Sequence, residues 1–265
     1  MIKKTAILFI TILMYQGCAT VPVTGRRQMS LVSNEEIIPM ATEQYGKVLK
    51  EGKLSTDRQQ TALVKSVGVR IQKAVEEYMA SKGLSNELSG FNWEFNLLDD
   101  PQTVNAWCMP GGKVAFYTGI MPICKDEAGV AVVMGHEVAH AIANHGRERM
   151  SQGLVAEFGL STISGAMGQN PRMTNQIFMQ AIGMGTQVGM LKFSRQHESE
   201  ADKIGLIFMS IAGYDPNEAP KFWERMAAQS NGAPPEWLST HPSNETRISD
   251  LKAAIPEAMK YYKGK

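Results

Sequence analysis

The sequence predicts an α+β fold, mostly α, in one domain with a small antiparallel sheet. Three observations carry this. Apolar residues recur at three- and four-residue steps through most of the chain. The pattern changes to β-branched and aromatic enrichment only in "FNWEFNLLDD" and "VNAWCMPGGKVAFYTG". And 265 residues, 43% of them hydrophobic and without an internal repeat, suffice for one core.

The first residues predict processing rather than fold. "MIKK" is a basic start, and "TAILFITILM" is an apolar run too short to span a bilayer as a stable helix. "YQGCAT" follows, with Gly17 before Cys18. Together these resemble a bacterial lipoprotein signal, residues 1–17, in which Cys18 becomes the lipid-bearing first residue. Tyr15 and Gln16 depart from that pattern, so an ordinary secretory signal stays open. Ala19 after the cysteine resembles lipoproteins sorted to the outer membrane, which implies an exported, periplasm-facing protein anchored through Cys18. Residues 18–32 are expected as an extended tether, and residues 33–265 as the domain. Export permits a disulfide, but the spacing of Cys108 and Cys124 fits no known motif, and separate buried thiols are the favoured reading. Net charge is +1, from 27 Lys+Arg and 26 Asp+Glu, so nothing electrostatic points to a nucleic-acid partner.

Ser33 and Glu36 form a capping box for a helix to about Lys50, with Pro39 placed to delay or bend it. Leu63, Val64, Val67, Ile71, Ala74, Val75, Tyr78 and Met79 mark an amphipathic helix over about 56–81. Strands with a Pro110–Gly112 hairpin come next, then a helix from Lys125 to about Met150. Residues 151–192, rich in Gly and Met, are expected as buried or lid-like helices. A helix over about 194–212 stops at Gly213, another opens with Asp215 as cap and Pro216 at its first position, and a last one ends in a basic tail.

The chemistry concentrates in "VVMGHEVAHAIANHG" (132–146), which holds three of the five histidines. On a helix, His136 and His140 share a face and can reach one zinc, while Glu137, turned by about 100°, can serve a water on it as general base. A chance H-E-x-x-H on a core helix is the alternative. Catalytic zinc takes three protein ligands plus water. The metzincin extension fails, because Ala143 and Gly146 stand where Gly and His are needed. A thermolysin-like E-x-x-x-D fails at Glu157, since Ser161 occupies the fourth position after it. His145 is turned about 140° from the metal face, which suits a structural role. In "FSRQHESEAD" (193–202), Glu198 and Asp202 lie four apart on one face, so that Glu198 can ligate while Asp202 orients a ligand histidine. Glu200 points away and His197 is about 100° off. A solvated helix face is the other reading.

"GHEVAHAIANHG", "SRQHESEADKIG", "VNAWCMPGGKVAFYTG" and "STHPSNETR", in this order over about 100–250, resemble the HtpX and CAAX-prenyl-protease type of gluzincin metallopeptidase. The likeness is strongest to the periplasmic lipoprotein and mitochondrial quality-control branches. The resemblance implies a zincin-like domain, one Zn2+ per chain on His136, His140 and Glu198, Glu137 as base and Asp202 in support. It implies two roles besides: His241 as a fourth ligand that silences the enzyme, and Arg247 near the metal, stabilising an oxyanion. Asn105, Ala106 and Trp107 match an edge strand that holds extended peptide. The activity implied is endoproteolysis of unfolded or misassembled envelope proteins. A non-proteolytic zinc lipoprotein, acting as chaperone or assembly factor, is the alternative. A peptidase trimming chain ends would need a clamp for the terminus, and none is identified.

Overall fold

In a computed structural model, residues 18–159, 170–183, 193–229, 237–238, 241 and 246–264 are described. The signal-like residues 1–17 and most of "STHPSNETR" lie outside them, as do 160–169 and 184–192 of the Gly/Met-rich stretch. Helix α1 is Asn34–Glu51, and both bonds of its predicted capping box are present. Pro39 sits inside it without ending it. Helix α2, Arg58–Ser81, buries the predicted apolar stripe from Val64 to Met79. Strands β3 (Glu94–Leu98), β4 (Ala106–Met109) and β5 (Lys113–Tyr117) form a sheet in the order β3-β5-β4. β4 and β5 make the predicted antiparallel hairpin, turning through Gly111 and Gly112 at positive φ. β3 pairs parallel to β5, because the chain crosses to the far side of the sheet before β4 and β5 returns between the two.

Helix α3 (Glu127–Ile142) buries every residue from Gly129 to Ile142, since it is the central layer between α2, the sheet and helix α6 (Arg195–Ile211). The expected continuous helix from 125 to 150 is broken. Ala143 caps α3, Asn144 adopts the left-handed conformation (φ 58°, ψ 30°), and α4 restarts at His145–Phe158. Helix α5 is Pro171–Ala181. Ser194 caps α6, its hydroxyl accepting from His197 N. Helix α7, Glu218–Ala228, begins two residues later than expected, because the Asp215 carboxylate accepts from Asn217 N and Nδ2 and holds Pro216 and Asn217 in a turn. Helix α8 is Arg247–Ala258.

The segment expected as a tether is folded onto the domain. β1 (Cys18–Thr20) pairs antiparallel with β2 (Arg27–Met29), Val21 and Gln28 are buried, and Arg26 reaches between α4 and α6. Cys18 is exposed, and Cys108 and Cys124 are free thiols.

Helices α3 and α6 touch backbone to backbone. A Cβ on Gly135 would lie 2.9 Å from Gly205 O, and one on Gly205 would lie 2.9 Å from Gly135 C and His136 N. Neither neighbour is a side chain that can swing aside. Gly205→Ala is therefore expected to force the helices apart, lowering stability by about 1–3 kcal/mol and weakening metal binding. Thermal melts and metal titration check this, and unchanged values in both would refute the tight crossing.

Candidate active site

The α3–α6 crossing brings the predicted ligands together. His136 Nε2 lies 3.1 Å from His140 Nε2, and Glu198 oxygens lie 3.5 Å from each. His241 adds Nδ1, 3.3 Å from His136 Nε2 and 3.0 Å from Glu198 Oε1. Ligands about 2.0–2.1 Å from a tetrahedral zinc stand about 3.3–3.4 Å apart. These four buried groups already stand at such spacings, and their donor atoms all fall within 4.8 Å of one another. The residues fit zinc.

His136 and His140 each have a partner behind the ring. His136 Nδ1 is 3.0 Å from Asp202 Oδ1, as the four-residue spacing of Glu198 and Asp202 predicts. With a metal bound, that contact would keep the remaining proton on Nδ1 and leave the Nε2 lone pair for the ion. In the metal-free protein, burial pushes the His136 pKa down, but Asp202 and Glu198 outweigh it and hold the group up at about 9. Glu198 is held well below the usual range: burial raises it, and His241, Arg247 and the bond to His136 overcome that. His140 Nδ1 is 2.8 Å from His145 Nδ1. On a continuous helix His145 would point away; the left-handed Asn144 turns it back.

Arg247 lies behind the metal group, against Glu198 and Asp202. Its Nη1 donates to Glu198 Oε2 (2.8 Å) and its Nη2 to Asp202 Oδ1 (2.7 Å), while its guanidinium lies 3.4 Å above the Trp223 ring. It does not line the cleft that Glu137 faces. With Nη1 on Glu198 and Nη2 on Asp202, it ties the ligand-side carboxylate to the one behind His136. His197 and Glu200 face away from the cluster, His197 toward Glu148 and Glu200 toward His145 and Arg26.

One cleft holds Glu137, His140 and His241 together with Asn105, Trp107 and Phe193. β4, the expected substrate strand, thus lies against Glu137. Asn105 Oδ1 accepts from Ala106 N at 2.9 Å. Sequence reasoning missed Trp237. Its indole donates to Glu137 Oε1 at 2.6 Å, it stacks on Trp223 at 4.9 Å, and its backbone N donates to Val104 O. Nothing in a Pro-rich loop signals this. Phe193 stacks on His241 at 5.1 Å, equally without a sequence signal.

The profile of peptidase family M48 matches residues 67–255. The chain is 33% identical over 243 residues to the mitochondrial metalloendopeptidase OMA1 of Schizosaccharomyces pombe, covering 90% of this chain and 67% of that protein. It is 30% identical over 246 residues to the mitochondrial metalloendopeptidase OMA1 of Homo sapiens (90% and 46%). With the beta-barrel assembly-enhancing protease of Escherichia coli it shares 31% identity over 167 residues (60% and 34%). These relatives correct one expectation. The outer-membrane lipoprotein setting read from the N-terminus is overturned, since fungal, plant and animal relatives are mitochondrial proteins.

Two outcomes are expected here. Purified chain carries about one zinc, and Glu198→Ala, lacking one corner of the donor set, loses most of it; full retention in the variant would mean that the carboxylate is no ligand. Glu148 sits at about 2 against an ordinary 4.5, because the bonds and charges of His197 and Arg26 outweigh burial, which raises it. The folded pKa is depressed, so its stabilisation is complete above about pH 4.5 and is lost as pH falls toward 2. Acid unfolding followed by circular dichroism should therefore depend less steeply on pH in Glu148→Gln across that window.

Proposed function

This chain belongs to peptidase family M48, and from that premise we propose that it cleaves internal bonds of unfolded or misassembled proteins laid along β4. It is a zinc metalloendopeptidase. The observation that carries the finer reading is the four-cornered donor set opening, beside Glu137, on a cleft walled by a strand. A strand reads backbone more than side chains, which suits substrates defined by being unfolded.

In this reading His136, His140 and Glu198 hold the metal. Zinc bound there would supply a Lewis acid for the scissile carbonyl and would lower the pKa of a water to about 7. Glu137 would hold the proton that moves from the attacking water to the leaving amine. Asp202 fixes the His136 ring, and Arg247 fixes Glu198 and Asp202. Asn105, Ala106 and Trp107 form the wall on which the substrate backbone extends.

His241 and Trp237 describe a resting state. His241 fills the fourth corner and Trp237 occupies the Glu137 carboxylate. One turn delivers both, since His241 N donates to Trp237 O at 2.8 Å. This closure is the observation that favours the second reading, a zinc protein that binds clients without cutting them.

Casein degradation by the purified chain separates the two. Proteolysis should stop with chelator and fall by about 100-fold or more in Glu137→Gln; equal rates in all three would end the peptidase reading. His241→Ala should raise kcat/KM by about tenfold if the latch holds with about 1.4 kcal/mol. A variant no faster than wild type would mean that His241 is no latch.

A further inference from the structure

Resting on the reading of His140 as a metal ligand, we propose that Arg26 is a positioning residue for the zinc site. It acts from an N-terminal segment outside residues 67–255, which the family profile matches. Behind His140 lies a buried layer that the mechanism above does not use. His145 Nε2 is 3.0 Å from Glu200 Oε2, and His197 Nε2 is 3.0 Å from Glu148 Oε2, with the two rings stacked at 4.4 Å. Arg26 joins the two carboxylates. Its Nε donates to Glu200 Oε2 at 2.7 Å; its Nη1 and Nη2 fork onto Glu148 at 3.1 and 2.7 Å. The Thr24 hydroxyl donates to the other Glu200 oxygen.

Donor and acceptor roles run one way along this chain of contacts. A ring nitrogen that ligates a metal carries no proton. With Nε2 turned to the cluster, His140 bears its proton on Nδ1 and donates it to His145 Nδ1. His145 is then protonated on Nε2 and needs a carboxylate acceptor there, which Glu200 provides. Two buried carboxylates packed behind one pair of stacked rings repel each other, and no other Lys or Arg among the described residues pairs with either. The planar fork of Arg26 answers both geometries at once. It holds Glu200 against His145, and so holds the His140 ring at the angle that ligation needs.

The test is zinc affinity of the full chain, by chelator competition, beside melts of the zinc-free protein. Arg26→Ala should weaken zinc binding by about 10–100-fold. Arg26→Lys should restore only part, because an ammonium cannot fork onto both carboxylates. Arg26→Ala and His145→Gln should combine less than additively, since both break one line of contacts. Affinity within about twofold of wild type in Arg26→Ala, even with a lower zinc-free melt, would overturn the proposal and leave Arg26 merely structural. If that variant does not fold, Thr24→Val carries the test: about threefold weakening supports the proposal and no change overturns it. His140→Ala separates the two levels. Zinc retained there would sink the ligand reading itself, whereas zinc lost there but kept in Arg26→Ala sinks only the present inference.

Discussion

Two glycines facing each other across α3 and α6 set everything else in this molecule. Gly135 and Gly205 let the helix backbones meet without a side chain between them. His136 follows Gly135 directly, and Asp202 lies three residues before Gly205, so the contact sets how far one helix's histidines stand from the other's carboxylates. A wider crossing would part the Glu198 oxygens from the two ring nitrogens that now lie 3.5 Å away. Metal affinity is steep in such distances, because each bond has a narrow optimum. Packing at a position without functional groups thereby becomes a condition of the chemistry.

Around this crossing, charge is buried in ordered layers. Asp202 and Arg247 lie behind His136, and His145, Glu200 and Arg26 lie behind His140. Buried ion pairs give doubtful net stability, since desolvation offsets their attraction. Their value here is orientation. In the zinc-bound reading, the rings of His136 and His140 would each keep a proton on the nitrogen facing away from the cluster, so that both lone pairs converge. Trp223 carries this order further by stacking on Trp237 while Arg247 lies on its face, which ties the carboxylate supports to the residue that holds the base.

How much of this the sequence reveals depends on whether the cause is local. The α1 capping box, the α2 stripe and the partnership of Glu198 with Asp202 each arise within a few residues, and each reads directly. The contact of His145 with His140 escapes a helical wheel, which assumes continuity, because one left-handed residue at Asn144 breaks the helix. The parallel pairing of β3 with β5 depends on where the chain crosses the sheet, which alternation does not encode. Arg26 and Trp237 lie further out of reach. Arg26 meets Glu200 across 174 residues and Trp237 meets Glu137 across 100, and neither sits in a periodic pattern that would mark its face. The arginine also lies in a stretch whose position before the domain suggests only a spacer.

The turn that carries the proposed latch is anchored beside the substrate strand. Trp237 N donates to Val104 O, at the entrance of β4. An extended substrate that pairs along β4 would seek backbone acceptors at the same place, so it competes with the turn for its anchor. Losing that anchor would loosen Trp237 from Glu137 and His241 from the donor set together, because Trp237 O also holds His241 N. Within the proposed reading, filling the strand and freeing the base are therefore one event rather than two. A short peptide that reaches the metal without engaging the start of β4 would leave the turn in place. Such a coupling keeps the site closed to folded neighbours whose loops merely brush the cleft, and opens it to chains long and loose enough to lie down along the strand.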